Sequence, residues 1–193
     1  MSIDLTTLDG VFHDFLNLKK IRRTGWQLRG IRDCESIADH AFGVALLTML
    51  LSDKISSHKL DRAHALELAM THELGECRVG DIPYTALRYW TQKAQAEQAA
   101  VADMMAPLGE AGKQYQELFA EFENNATPEA RFVRAIDKLE MLITASEYEH
   151  TGYRALGDFW DNASTFASFD EFPELAAYAR TLKRRHEERF ARA

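Results

Sequence analysis

Apolar residues recur at helical spacing along most of the chain, and no stretch alternates long enough to make a sheet strand. Leu5, Leu8, Phe12, Phe15 and Leu18 fall on one helical face and predict a first helix. Gly25 and Gly30 break that period, so the residues around them read as a loop. Ser36 is placed as N-cap of the next helix, with Asp39 at N3 in a capping-box position and the apolar run Ala41 to Leu51 behind it. Ser52 to Leu60 is a polar connection. Asp61 caps a third helix, which runs into Thr71-His72-Glu73-Leu74-Gly75-Glu76 and is expected to end near Gly75 or shortly after.

Gly80-Asp81-Ile82-Pro83 then reads as a turn. Tyr89 to Met105 is built from Ala, Gln and Glu, strong helix formers, and stops at Pro107-Leu108-Gly109. Gln114 to Phe122 predicts another helix. Thr127-Pro128-Glu129 is a start signal, with an N-cap, a proline at the first helical position and an acid in the first turn; the helix it opens passes Asp137 and runs to about Glu149. Gly157 to Pro173 is aromatic and acidic, an irregular wrap with a short helix over Asp158 to Phe166, and Glu174 to Arg192 is a charged last helix. The pattern predicts an all-α fold.

Composition narrows the class. The 193 residues, 46 % hydrophobic with four prolines, suit one domain over 1–193 with an ample core. No apolar run approaches the roughly 20 residues of a membrane span, and Asp4, Asp9 and Asp14 stand where a signal peptide would be basic and then apolar. A soluble, cytoplasmic protein is expected. Cys34 and Cys77 have no CxxC spacing and read as reduced thiols. A net charge of −7 argues against a nucleic-acid polymer as partner, because tracking phosphates needs a basic stripe. Locally the balance differs: Lys19, Lys20, Arg22, Arg23, Arg29 and Arg32 stand together with no acid among them. Such a cluster can collect one small phosphate or be an ordinary solvated face. Trp26 inside it suits a ligand anionic at one end and planar at the other, and equally suits an anchor at the edge of the core.

The chemistry concentrates in Thr71–Glu76. At about 100° per residue, with His72 at zero, Glu76 falls near 40° and Glu73 near 100°. That face continues the small residues Ala65 and Ala69, beside an apolar row of Leu66, Met70 and Leu74, so the ionisable heads are expected to point inward and to need partners. A surface His/Glu pair fits the same residues. His40, in the first turn after Ser36, sits at the rim of a core, where it serves either as a ligand or as a satisfied core histidine. Asp137 is a lone carboxylate in a mostly apolar helix, and Lys138 or an arginine is the bland partner for it.

In chain order His40, His72-Glu73 and Asp137 resemble the ligand order of the HD-domain metal-dependent phosphohydrolases. The closer resemblance is to the five-prime-deoxynucleotidase branch. It rests on Arg23-Thr24-Gly25-Trp26, Glu35-Ser36-Ile37-Ala38-Asp39-His40, Thr71-His72-Glu73-Leu74-Gly75-Glu76, Val79-Gly80-Asp81-Ile82, Ala130-Arg131-Phe132-Val133 with Asp137, and Ala145-Ser146-Glu147-Tyr148-Glu149, colinear from Leu16 to about Asp161. The resemblance implies a single HD domain, a divalent ion (manganese, cobalt, iron, nickel, zinc or magnesium) on His40, His72, Glu73 and Asp137, and a homodimer. It places Arg23 and Trp26 at substrate-contacting positions and Asp81 near a sugar hydroxyl, whereas turn chemistry alone makes Asp81 a backbone cap. Glu76, one turn beyond His72, is placed to take a proton from water. A loose match at Glu97 is set against a solvated helix position, which suits that residue better.

One departure stands out: Glu73 replaces the family's aspartate, and its extra methylene carries the carboxylate about 1.5 Å further. The expected function is metal-dependent hydrolysis of a (deoxy)nucleoside 5'-monophosphate to nucleoside and phosphate. The alternative is a metal- or nucleotide-binding module that Glu73 has left with little turnover.

Overall fold

The structure is a computed structural model and describes residues 5–191. The main helices are α1 (Asp9–Leu18), α2 (Thr24–Gln27), α3 (Ile37–Leu51), α4 (Arg62–Thr71), α5 (Glu76–Val79), α6 (Lys93–Met105), α7 (Glu110–Glu123), α8 (Pro128–His150), α9 (Gly157–Trp160), α10 (Ala163–Ala167) and α11 (Pro173–Phe190). Among the described residues there is no strand, only an isolated bridge between Arg22 and Ser36, so the fold is all-α.

Local chemistry sets the helix starts. The Ser36 hydroxyl accepts from the Asp39 N–H at 3.2 Å while Asp39 Oδ2 accepts from the Ser36 N–H at 2.8 Å, the reciprocal capping box. Asp61 Oδ1 accepts from the N–H groups of Ala63 and His64, and Thr127 Oγ1 from that of Ala130, with Pro128 behind it. Each side chain satisfies amides that a helix start leaves without partners.

Helix α8 is the axis of the core. Ala130, Phe132, Val133, Ala135, Ile136, Leu139, Leu142 and Ala145 are buried along it, and α3, α4, α7 and α11 pack around it. Ala65 and Ala69 are fully buried on α4, which lets that helix lie close against α3 and α8. In the predicted apolar row beside them Leu66 packs on the core, but Met70 is exposed. A smaller apolar cluster of Cys77, Val101, Met104, Met105 and Phe119 joins α5, α6 and α7. Beyond α8, the buried Glu149 ties the C-terminal segment down: Trp160 Nε1 donates to its Oε1 at 2.9 Å, His186 Nδ1 lies 2.7 Å from the same oxygen, and Arg189 Nη1 donates to Oε2 at 3.0 Å.

Several boundaries depart from expectation. The loop read over the basic cluster contains one helical turn, α2. Tyr89 to Gln92 precede α6 as turns, α7 begins earlier than Gln114, and the wrap after Gly157 holds two short helices rather than one. Helix α4 ends at Thr71, short of the predicted Gly75. From there the backbone tightens into i,i+3 bonds, with Leu74 N–H to Thr71 C=O at 3.1 Å and Glu76 N–H to Glu73 C=O at 3.1 Å. Gly75 is required by packing: a Cβ there would stand 2.6 Å from Glu97 Cβ, so α6 could not approach.

Candidate metal centre

His40 projects from the first turn of α3, Asp137 from the middle of α8, and His72 and Glu73 from the turn that ends α4. These elements meet. His40 Nε2 lies 3.2 Å from Asp137 Oδ1 and 3.5 Å from Glu73 Oε1, and His72 Nε2 lies 3.6 Å from Glu73 Oε1. His40, His72 and Glu73 can each offer one donor atom within 4.8 Å of the others. His72 Nδ1 faces the Ala69 carbonyl at 2.7 Å. A carbonyl only accepts, so Nδ1 carries the proton and Nε2 keeps its lone pair for the cavity. His40 Nδ1 is likewise occupied, 2.6 Å from Glu140 Oε2.

Both Nε2 atoms are buried and neither makes an aligned hydrogen bond. The 3.2 Å approach of Asp137 to His40 is close without having the direction a ring N–H bond requires. Two unsatisfied imidazole nitrogens that converge with the Glu73 carboxylate, and Asp137 Oδ1 beside His40 Nε2, are a donor set that fits a divalent first-row ion.

The charges respond to this crowding. Burial lowers the His72 imidazole. Burial and Arg23 also push His40 down, but Asp137 and Glu140 outweigh them and raise it to about 9. Burial would raise Asp137, yet Lys138, His40 and His72 hold its carboxyl well below the usual range. Lys138 Nζ donates to Asp137 Oδ2 at 2.9 Å, so the salt-bridge reading and the ligand reading of Asp137 use different oxygens. Glu73 is lowered against the effect of burial by His72, Arg23 and His40. Glu76 goes the other way: burial, then repulsion by Glu73 and Asp81, pushes it up to about 10.

A cleft of about 260 Å³ opens beside this centre. His72, Glu73 and Asp137 form its floor, and Arg23, Trp26, Glu76 and Asp81 line it. The eight residues singled out from the sequence thus gather at one place, with His40 directly behind the floor. Glu76 gets there without the wheel geometry predicted for it, through the tight turn after His72. Arg23 is not free: its Nη1 donates to Glu73 Oε1 at 3.0 Å and lies 3.6 Å from Asp81 Oδ1. Asp81 caps a backbone, as turn chemistry expects, its Oδ2 accepting from the Thr24 N–H that begins α2. Trp26 is a buried wall, 2 % exposed, its indole N–H given to Glu35 Oε1 at 2.7 Å and its ring stacked on Phe159 at 4.4 Å.

Three residues at the site escaped the sequence reading. Lys93, from α6, sits 3.7 Å from Glu76 Oε1 and 2.6 Å from Glu97 Oε1. Glu97 is 3 % exposed, which corrects its reading as a solvated position; the close approach allowed by Gly75 buries it. Glu140 stands three residues after Asp137 on α8, and a second carboxylate on the same face of an apolar helix was a signal available in the sequence. Phe159 carried no signal, since it reaches the cleft only because the wrap after α8 folds back over Trp26.

An all-helical core in which His40, His72 and Glu73 converge, with Asp137 beside His40, has the donor set of a helical metal-binding class. The HD domain family profile matches residues 15–173, and the chain belongs to that family. It is 32 % identical over 163 residues to human 5'-deoxynucleotidase HDDC2, covering 83 % of this chain and 78 % of that one. It is 36 % identical over 149 residues to 5'-deoxynucleotidase hdd1 of Schizosaccharomyces pombe, covering 74 % and 73 %. A conserved hypothetical protein from Pyrococcus furiosus of known structure superposes with a TM-score of 0.73 at 34 % identity, over 97 % of this chain and 99 % of that chain.

Proposed function

We propose that this protein is a metal-dependent phosphohydrolase that removes the 5'-phosphate from deoxynucleoside monophosphates, with residues 1–193 working as one HD domain. The observation that carries the reading is the pair of buried, unsatisfied Nε2 atoms of His40 and His72 facing Glu73 and Asp137. Similarity to 5'-deoxynucleotidases over most of the chain supports the substrate class. His40, His72, Glu73 and Asp137 would hold the ion. Bound there, a divalent cation acidifies water and neutralises charge developing on a phosphoryl group. Which metal it is, among manganese, cobalt, iron, nickel, zinc and magnesium, is for the assay to decide.

The remaining roles belong to the chain's own side chains. Glu76 lines the cleft beside His72 and Glu73, with Lys93 Nζ 3.7 Å from its Oε1, and in its ionised form takes a proton from the attacking water or holds that water in line. Arg23 offers a planar fork to the phosphate, exchanging one carboxylate partner for another anion. Asp81 stands beside Arg23, where it can meet a sugar hydroxyl, and Trp26 with Phe159 walls the nucleoside side of the cleft.

Two further parts of the reading concern the whole molecule. Phe42, Leu46, Met49 and Leu50 form an exposed row on α3, which supports a homodimer. Cys34 and Cys77 are free thiols, and no helix among the described residues is long and apolar enough to cross a membrane; both suit a cytoplasmic enzyme. The test is phosphate release from deoxy- and ribonucleoside monophosphates, with each metal added to metal-stripped protein. Release from deoxynucleotides is expected. No release with any metal and substrate would overturn the reading.

A further inference from the structure

We propose that Glu140 is a positioning residue of the metal centre, holding His40 in the one tautomer and orientation in which its Nε2 can act as a ligand. This rests on the metal reading above and adds a residue outside the ligand set. Glu140 Oε2 lies 2.6 Å from His40 Nδ1 in a fully buried contact. A carboxylate there accepts a hydrogen bond from Nδ1–H, so in the neutral ring that binds a metal the lone pair lies on Nε2, the atom directed at Asp137 and Glu73.

The surroundings hold Glu140 in that pose. The Thr144 hydroxyl, one turn along α8, donates to Glu140 Oε1 at 3.1 Å, so the two carboxylate oxygens have separate partners. On the facing helix Gly43 makes the room: a Cβ at that position would stand 2.8 Å from Glu140 Oε1, 3.1 Å from its Cγ and 3.2 Å from its Cδ. A Cβ at position 43 would push the Glu140 side chain out of this pose. Position 43 therefore needs glycine for close approach, although a glycine within a helix costs about 1 kcal/mol.

Glu35, His40 and Glu140 also bring donor atoms within 4.8 Å of one another and could be taken for a second ion site. The contact distance speaks against it. At 2.6 Å, His40 Nδ1 and Glu140 Oε2 are in direct hydrogen-bonding contact, and a ring nitrogen that carries the shared proton has no lone pair to give an ion. Glu35 has its own task in accepting the Trp26 indole N–H.

The test compares wild type with Glu140→Ala, Glu140→Gln and Gly43→Ala. Zinc binding to metal-stripped protein is measured by calorimetry and thermal melting is recorded beside it. Glu140→Ala is expected to weaken zinc binding by 10- to 100-fold. Glu140→Gln, whose amide oxygen still accepts the Nδ1 proton, should recover most of that loss, and Gly43→Ala should mimic Glu140→Ala by expelling the carboxylate. In zinc-loaded protein the low-field Nδ1 proton of His40 is expected in the wild-type NMR spectrum and should vanish in Glu140→Ala, a change that a purely structural role does not produce. Wild-type zinc affinity in folded Glu140→Ala overturns the proposal, and if that variant does not fold, wild-type affinity in Gly43→Ala does so. A wild-type protein that binds no zinc or other first-row ion would instead overturn the metal reading itself, and this inference with it.

Discussion

Arg23 Nη1 stands 3.0 Å from Glu73 Oε1, so the cation proposed for the phosphate is tied to a carboxylate of the candidate metal centre. The same Glu73 oxygen lies 3.5 Å from His40 Nε2 and 3.6 Å from His72 Nε2. The longer side chain at position 73 therefore does reach the point where the histidines converge, and it meets Arg23 on the way.

That reach predicts the outcome of shortening it. Glu73→Asp withdraws the carboxylate by about 1.5 Å and loosens its contact with Arg23. Metal content and phosphate release should both stay at or below wild type. A variant that binds metal more tightly and turns over faster would show that the glutamate had detuned the site.

Glu76→Gln separates catalysis from binding. The amide keeps the size of the side chain but cannot accept a proton, so turnover should fall by about 10²-fold or more while metal content is unchanged. Loss of metal in this variant would make Glu76 a ligand instead of a base.

The capping box before His40 predicts a pH dependence of stability. Hydrogen bonds from the Ser36 backbone and then its hydroxyl hold the Asp39 carboxyl below its ordinary range. A depressed folded-state pKa contributes stability fully above the unfolded value, about 3.9, and loses it as pH falls through the folded value. Asp39→Asn should thus be less stable than wild type at pH 7, by about 0.3–1 kcal/mol for an acid in a first helical turn. The gap should close below about pH 4. Urea melts at pH 7 and pH 3 measure it, and a gap unchanged at pH 3 would contradict the assignment.

Glu149 predicts the weakest point of the C-terminal packing. Its side chain is fully buried, and Arg189 is the permanent cation on it, 3.0 Å away. Arg189→Met keeps the apolar stem and removes the charge, which leaves a buried carboxylate with Trp160 and His186 alone. Destabilisation on the order of 3 kcal/mol is expected in thermal or urea unfolding. A loss under about 0.5 kcal/mol, the range of ordinary surface changes, would show the pair to be dispensable.

Much of the fold was legible in local chemistry. Ser36, Asp61 and Thr127 each declare a helix start because a side-chain oxygen three or fewer residues away is the cheapest partner for a free amide, and all three do so in the structure. The order His40, His72-Glu73, Asp137 was legible through its resemblance to the HD-domain phosphohydrolases; the cost of burying charge said only that these groups need partners, and left Lys138 or an arginine open for Asp137.

Distances and neighbours were not legible. The turn that follows α4 at Thr71 lies under α6, which comes within reach of Gly75 only because position 75 has no Cβ, a contact between segments far apart in sequence. The same contact buries Glu97 and brings Lys93 to Glu76. Glu140 meets His40 across 100 positions of chain, in room that Gly43 leaves for its side chain. The sequence by itself determined the long helices, through short-range hydrogen bonding and apolar spacing, and it named the eight candidate site residues through their resemblance to a family pattern. Only the tertiary structure decided which oxygen faces which nitrogen, because that depends on how closely segments far apart in sequence approach, and the missing methyl groups at Gly75, against α6, and at Gly43, against the Glu140 side chain, leave the room for it.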